Sequence, residues 1–118
     1  MTINIKASGM ELTDAIKQYA EDKANTLTKY FNNIMQIDID LGLKSHHHLK
    51  GKIFYCEFNV HVPSKLVRVS KNAEDLYKAI DKVRDHLKVE LDKLKEKLRA
   101  KDKTLLREEK GYKDDDAE

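Results

Sequence analysis

Apolar and polar residues follow two different periods along residues 1–100. Strict alternation is typical of half-buried strands. It predicts four of them, at residues 2–7, 36–43, 53–62 and 66–70. Spacings of three and four are typical of helices that bury one stripe. They predict two helices, at residues 14–31 and 75–100.

The order of these segments is β-α-β-β-β-α, which favours an α+β fold. Three consecutive strands form an antiparallel unit, and one face of the resulting sheet must be covered. We therefore expect a four-stranded sheet with two helices packed on one face. Ser8-Gly9 and Pro63-Ser64 carry turn chemistry and end the first and third strands, while residues 44–51 are expected to form a loop.

The second predicted helix has a narrow apolar seam, made of Leu76, Ile80, Val83, Leu87, Leu91, Leu94 and Leu98. On a wheel of about 100° per residue, cations line both edges of this seam. One row is Arg84, Lys88, Lys95 and Arg99, and the other is Lys78, Lys82, His86, Lys93 and Lys97. Acidic residues fall between the rows, away from the seam, at Asp81, Asp85, Asp92 and Glu96. Rows of cations suit a polyanion, although a solvated helix with ordinary i,i+4 ion pairs is the alternative interpretation.

The first predicted helix has a plausible N-cap at Thr13, with Asp14 in its first turn. Its apolar face continues to about Phe31. Lys23 falls near the middle of that face, so its amine must reach water or meet an anion.

The composition predicts one domain with a modest core. The 23 Lys and Arg nearly cancel the 21 Asp and Glu, so the distribution of charge is more informative than the net charge of +2. The single cysteine, Cys56, alternates in phase with Phe54 and Phe58 and is expected in the core, where thiols are inert. No leader segment or membrane span is apparent, which favours a reduced, cytosolic protein without a membrane partner.

Residues 101–118 have no sustained period and carry five Lys or Arg against seven Asp or Glu. We expect them to form a mobile acidic tail, separate from a domain at residues 1–100. Leu105 and Leu106 would allow the helix to extend further.

The sequence contains no strong metal-binding or catalytic motif. Three adjacent histidines, His46, His47 and His48, lack a nearby carboxylate or cysteine at ligand spacing, so we expect no metal. Asp38 and Asp40 alternate with a buried row and are expected to face solvent. No glycine-rich phosphate loop or nucleophile motif is present, and we predict neither an enzyme, a cofactor nor a small-molecule substrate.

The most basic stretch lies at residues 44–71, where six Lys or Arg accompany one Glu and four histidines. Together with the cationic rows of the second helix, it indicates a partner rich in phosphate. Tyr55 is the one exposed aromatic residue predicted on the sheet, whereas platforms that stack RNA bases need several. This favours recognition of the RNA backbone and shape over recognition of base sequence.

Two sequence stretches, GMELTDAIKQYAEDKANTLTKYF and DLYKAIDKVRDHLKVELDKLKEKL, carry a resemblance to a known family. They resemble the ribosome hibernation promoting factor and ribosome-associated inhibitor family, in its short form. The most specific pieces are ELTDAI, KYF and D-x-Y-x-A-I-D. The strand and helix order is also similar.

The resemblance implies a bacterial stress protein that binds the small ribosomal subunit over the decoding region and blocks messenger and transfer RNA. Basic positions of the family pattern match Lys17, Lys23, Lys29, Lys93 and Lys97. The cationic rows add Lys78, Lys82, Arg84 and Lys88 as RNA-binding candidates. Thr26, His86 and Val89 stand where family members often carry a basic residue. Off the ribosome we expect a monomer.

The residues leave two other classes of function open. The regular seam could dock a partner helix or a second copy. A general duplex-RNA binder is the third class, but the sequence 71–74 has one lysine where such domains place a cluster at the start of their last helix.

Overall fold

The computed structural model describes residues 1–47 and 51–109, and side chains within 1–44 and 51–100. Four strands are present, β1 (Thr2–Ser8), β2 (Gln36–His47), β3 (Gly51–Val62) and β4 (Lys65–Ala73). Two helices accompany them, α1 (Asp14–Thr26) and α2 (Leu76–Glu109), with a 3₁₀ turn at Leu27–Lys29 after α1. The predicted β-α-β-β-β-α order is confirmed.

The sheet has the strand order β1-β2-β3-β4. The meander β2-β3-β4 is antiparallel, with Ile39 opposite Phe58 and Phe58 opposite Val69. β1 pairs with β2 in parallel, with Ile3 beside Ile37. A parallel pair needs a crossover connection, and α1 provides it, so the sheet is mixed.

Both helices cover the same face of the sheet. The core contains the inward residues of the central strands, among them Ile39, Cys56 and Phe58, and the apolar stripes of both helices. Cys56 is fully buried as predicted, and burial raises the pKa of its thiol far above the ordinary value. The thiolate is therefore suppressed.

α1 begins as predicted. Thr13 has an extended backbone, and its hydroxyl accepts a hydrogen bond from the Ile16 amide at 3.2 Å. The regular helix ends at Thr26 rather than near Phe31, because the chain tightens into the 3₁₀ turn. Leu27 and Phe31 nevertheless remain in the core.

The expected loop at residues 44–51 is largely strand. β2 continues to His47 and β3 begins at Gly51, with a register shift between Lys44 and His47. A long hairpin therefore replaces the predicted loop, because backbone pairing continues where the side-chain alternation stops. The tip, at residues 48–50, lies outside the described residues.

α2 starts after Asp75, whose carboxylate accepts a hydrogen bond from the Tyr77 amide at 2.8 Å. The helix continues past the predicted end near Ala100 to Glu109. Backbone hydrogen bonds between residues i and i−4 do not require an apolar stripe. The loss of apolar periodicity near Ala100 therefore did not mark the end of the helix. The predicted tail thus begins in helix, and residues 110–118 lie outside the described residues. No described helix is long and apolar enough to cross a membrane.

Candidate nucleic-acid interface

The helices α1 and α2 lie side by side and run in the same direction. Three contacts occur in the same order along α2 and along α1 with the 3₁₀ turn that follows it, namely Tyr19 with Tyr77, Thr26 with Arg84, and Tyr30 with Lys88. Each pair is separated by the same interval in sequence, so the two helices keep one register along their contact. We call this contact the interhelical seam.

A cluster around Asp81 closes the first part of the interhelical seam. The Tyr19 hydroxyl donates to the Asp81 carboxylate at 2.7 Å, and the Lys23 amine lies 3.4 Å from the same oxygen. Lys23 also lies over the Tyr19 ring, 5.2 Å from its centroid. The predicted need of Lys23 for an anion is therefore met by Asp81. Asp81 was expected on the side of α2 away from its apolar seam, and from that position, with 41% of its side chain exposed, its carboxylate contacts α1.

The Asp81 carboxylate also perturbs Tyr19. Its hydrogen bond, together with burial and its negative charge, raises the pKa of Tyr19 to about 12. The hydroxyl therefore stays a donor at any physiological pH. Tyr19, Lys23 and Asp81 form a structural lock between the helices.

Arg84 and Lys88 lie further along the interhelical seam. The Arg84 guanidinium bonds Asp85 at 2.8 Å and reaches the Thr26 hydroxyl at 3.4 Å. The Lys88 amine lies 5.2 Å from the centroid of the Tyr30 ring. Lys23 and Arg84 keep only 25% and 22% of their side-chain surface exposed. These cations already have partners within the protein.

The other edge of α2 faces β4. Lys93 and Lys97 line a depression of about 330 Å³ together with Lys65 and Arg68. Four consecutive β4 residues, 65–68, contribute to its wall. Since successive strand residues point to opposite faces, this wall includes the outer edge of β4. Glu90 is the single carboxylate among the described residues of the lining.

Ion pairing is sparse around this depression. Lys93 lies 3.7 Å from Glu90, and Arg68 lies 3.5 Å from Glu57. Among the described side chains, neither Lys65 nor Lys97 has a carboxylate within ion-pair distance. This edge of α2 is therefore the more available to an external anion.

The other predicted candidates are spread over the helix layer. Lys29 and Lys82 are exposed, and Lys78 is 3.9 Å from Glu74 at the start of α2. Lys17 is also exposed. It lies about 160° around α1 from Tyr19, on the flank away from α2. The structure therefore divides the nine candidates between several surfaces instead of joining them in one patch.

The opposite face of the sheet is polar and internally bonded. Asp38 accepts hydrogen bonds from Asn4 at 2.9 Å and from Gln36 at 2.8 Å, and lies 2.9 Å from His61. These bonds lower the pKa of Asp38. Asp40 accepts from the Tyr55 hydroxyl at 2.9 Å. Asp38 and Asp40 thus lie on the outer face as predicted, but as parts of a network.

The fold brings two further groups of residues to the helices, one from β4 and one from the helix pair itself. Lys65 and Arg68 were recognised only as members of the basic stretch 44–71, and the fold brings them to Lys93 and Lys97. Tyr30 and Tyr77 were assigned no interhelical role. Their contacts join residues far apart in sequence, which a single-helix pattern does not contain.

The side chains of His46, His47 and His48 lie outside those that the structure describes. Elsewhere in the described part of the chain, no group of three His, Cys, Asp or Glu side chains is placed to hold a metal.

Comparison with known proteins gives several relatives. A ribosome hibernation promoting factor of Azotobacter vinelandii is 34% identical over 97 residues, covering 82% of this chain and 85% of that protein. A ribosome hibernation promotion factor of Lactococcus lactis is 33% identical over 83% of this chain. The chain spans about half of that protein, 51% of its length.

Solved structures agree with the fold. The N-terminal domain of Protein Y from Thermus thermophilus matches with a TM-score of 0.66 and 32% identity, over 79% of this chain and 94% of that one. A ribosomal subunit interface protein from Coxiella burnetii gives a TM-score of 0.69 at 22% identity, over 80% of this chain and 98% of that one, and supports the fold alone. The model of the Sigma 54 modulation protein / S30EA ribosomal protein family matches residues 3–99, and the chain belongs to this family.

Proposed function

We propose that this protein is a ribosome hibernation factor, which binds the small ribosomal subunit through its helix layer. Bound near the decoding region, it blocks messenger and transfer RNA and silences translation in the cytosol of stressed cells. Family membership supports the ribosome as partner, as do the relatives named hibernation promoting factors. The location on the subunit follows from the family resemblance of the two helix sequences.

The observation that carries the proposal is the open cationic edge of α2. Lys93 is 71% exposed, and Lys97 and Lys65 are exposed beside it. Among the described side chains, Lys65 and Lys97 have no carboxylate within ion-pair distance, so they can bind phosphate without breaking an ion pair, whereas Lys93 would exchange Glu90, 3.7 Å away, for phosphate. Each phosphate that they neutralise also releases condensed counterions.

The proposed mechanism is obstruction rather than chemistry. Contacts with RNA phosphates fix the position of a protein but carry little sequence information. The rigid helix pair, fastened by Tyr19 and Asp81, would hold its cations at fixed spacing on the RNA surface. Occupancy of the path of messenger and transfer RNA is then sufficient to stop initiation.

The test is cosedimentation with small subunits and whole ribosomes over a salt series. Replacing Lys93 and Lys97 with Glu should weaken binding at least tenfold and lower the log–log salt slope by about 0.7–0.9 for each lost phosphate contact. Both residues are exposed, so the fold should survive. Binding should also compete with initiator transfer RNA.

A matched control compares Lys6→Glu with Lys97→Glu, because each makes the same change in net charge. The Lys6 side chain is exposed, and it points away from the helix layer because its neighbours Ile5 and Ala7 on β1 pack against the core. The control should bind almost as the wild type does. A folded Lys93→Glu/Lys97→Glu protein with unchanged affinity and slope would contradict the proposal, and salt-independent binding would favour docking to a protein.

A further inference from the structure

A continuous groove runs along the last part of α2 that has described side chains. Beside the cationic depression lies a second depression of about 500 Å³. The two share three lining residues, Lys65, Leu94 and Lys97. They therefore form one channel between α2 on one side and β4 with the β3–β4 turn on the other, which we call the α2–β4 groove.

The two ends of the α2–β4 groove differ in chemistry. One end carries the cations described above. The lining of the other end is largely apolar, and consists of Phe31, Asn33, Val62, Pro63, Ser64, Leu94 and Leu98, with Lys65 and Lys97 at its border. Leu98 keeps 45% of its surface exposed. An apolar floor bordered by unpaired lysines fits a ligand with a flat apolar part and a negative part close to it.

The β3–β4 turn adds a second unusual feature. Ser64 has a φ of 66°, in the left-handed region that favours glycine, and it lines the apolar end. A residue other than glycine is strained in that region. The turn thus keeps a serine at the groove where glycine would be conformationally easier.

We propose that the α2–β4 groove binds an unpaired nucleotide of single-stranded RNA. The base lies on the apolar floor around Phe31, Pro63 and Leu98, and the adjoining phosphates contact Lys65 and Lys97. Unstacked bases are recognised in this way, by flat or apolar side chains next to a cationic track. The assignment of ribosomal RNA as the source of the nucleotide rests on the proposed function, whereas the groove itself does not.

Charge complementarity selects this occupant over a second copy of the chain. Among the described residues, four Lys or Arg and one Glu line the cationic end, so two copies would bring like charges together. An acidic peptide would satisfy the lysines. RNA satisfies both ends, since each nucleotide supplies one phosphate and one apolar base face.

The test measures binding of a fluorescent eight-nucleotide oligouridylate to the full chain by anisotropy, with inorganic polyphosphate as a competitor of similar charge. The wild type should bind the RNA more tightly than the polyphosphate. Leu98→Ser should weaken RNA binding about fivefold and leave polyphosphate binding unchanged. Lys65→Gln with Lys97→Gln should reduce the log–log salt slope for RNA by about 1.4. Lys6→Gln, on the outer face of the sheet, serves as the charge control and should change neither affinity by more than about twofold, because Lys6 lies outside the groove.

Several outcomes would overturn the proposal. The first is that the wild type binds RNA and polyphosphate with equal affinity. The second is that a folded Leu98→Ser variant binds RNA as tightly as the wild type does. The third is that polyglutamate binds as tightly as RNA, which would assign the groove to an acidic protein segment. Ribosome binding distinguishes this failure from that of the proposed function. A chain that binds oligouridylate through the groove but does not cosediment with small subunits would keep the groove and lose the hibernation role. The reverse result would keep the role and lose the groove.

Discussion

The two halves of α2 have the same sequence pattern and different surroundings. Up to Leu91 the residues of the apolar seam are buried against the sheet, and of the neighbouring cations Arg84 contacts α1 and Lys88 lies over Tyr30, just after the 3₁₀ turn. Beyond Leu91 the residues of the apolar seam become accessible to solvent, since Leu94 is partly buried and Leu98 is exposed. The comparison shows that a repeated pattern of leucine and lysine stabilises the fold where other elements surround it, and leaves an exposed surface where they end.

The same comparison limits the alternative in which the seam docks a partner. The first five seam residues, Leu76, Ile80, Val83, Leu87 and Leu91, are occupied by the protein's own core. Of the seam residues with described side chains, only Leu94 and Leu98 have surface to offer. A partner helix along the whole seam would require the domain to open.

The largest expected difference between the halves concerns their leucines. Leu91→Ala should lower the free energy of unfolding by about 2–5 kcal/mol, because it leaves a cavity at a fully buried site. Leu98→Ala should change it by less than about 0.5 kcal/mol, since Leu98 is nearly half exposed. Urea unfolding of both variants measures the difference. Equal losses would remove the distinction between the two halves.

A smaller effect is expected from the lock in the first half. Tyr19→Phe removes the hydrogen bond to Asp81 and should cost about 1 kcal/mol. The hydroxyl also gives a pH signature. Because the folded pKa, about 12, exceeds the ordinary value of 10.0, the bond stabilises fully below pH 10.0 and this stabilisation is lost as the pH rises toward 12.

Thermal unfolding of wild type and Tyr19→Phe between pH 8 and pH 12 measures this signature. The wild type should lose stability relative to the variant above pH 10.0. Tyr77→Phe is the control, since no hydrogen bond of the Tyr77 hydroxyl to a described residue is found. If Tyr19→Phe and wild type kept a constant difference over this range, the lock would not depend on the hydroxyl proton.

The smallest effect is expected at the turn that borders the second half. Ser64→Gly relieves the left-handed backbone but gives the unfolded chain more freedom, so we expect a net gain of about 0.5 kcal/mol. Ser70→Gly, at an exposed β4 position whose φ is not positive, should instead be destabilising by about 0.5–1 kcal/mol. The sign difference can be read from the two thermal midpoints. A lower thermal midpoint for Ser64→Gly would mean that contacts of the serine hydroxyl outweigh the strain of the left-handed backbone.

The local pattern predicted more of the fold than of the candidate site. Alternation and capping chemistry identified every strand, the start of α1 at Thr13 and the burial of Cys56. It misjudged the loop at residues 44–51 and the end of α2, where backbone hydrogen bonds continue without a side-chain period. Residues 110–118 remain predicted as an acidic tail.

The candidate site depended on tertiary structure for a different reason. The sequence by itself determined which residues carry positive charge and on which edge of α2 they fall, because helical geometry alone sets those positions. Only the fold decided that Lys23 and Arg84 are engaged by neighbours while Lys97 meets Lys65 across a groove. Whether a cation is available depends on the distance to groups remote in the chain. That distance is set by how α1 and β4 pack against the two edges of the same helix.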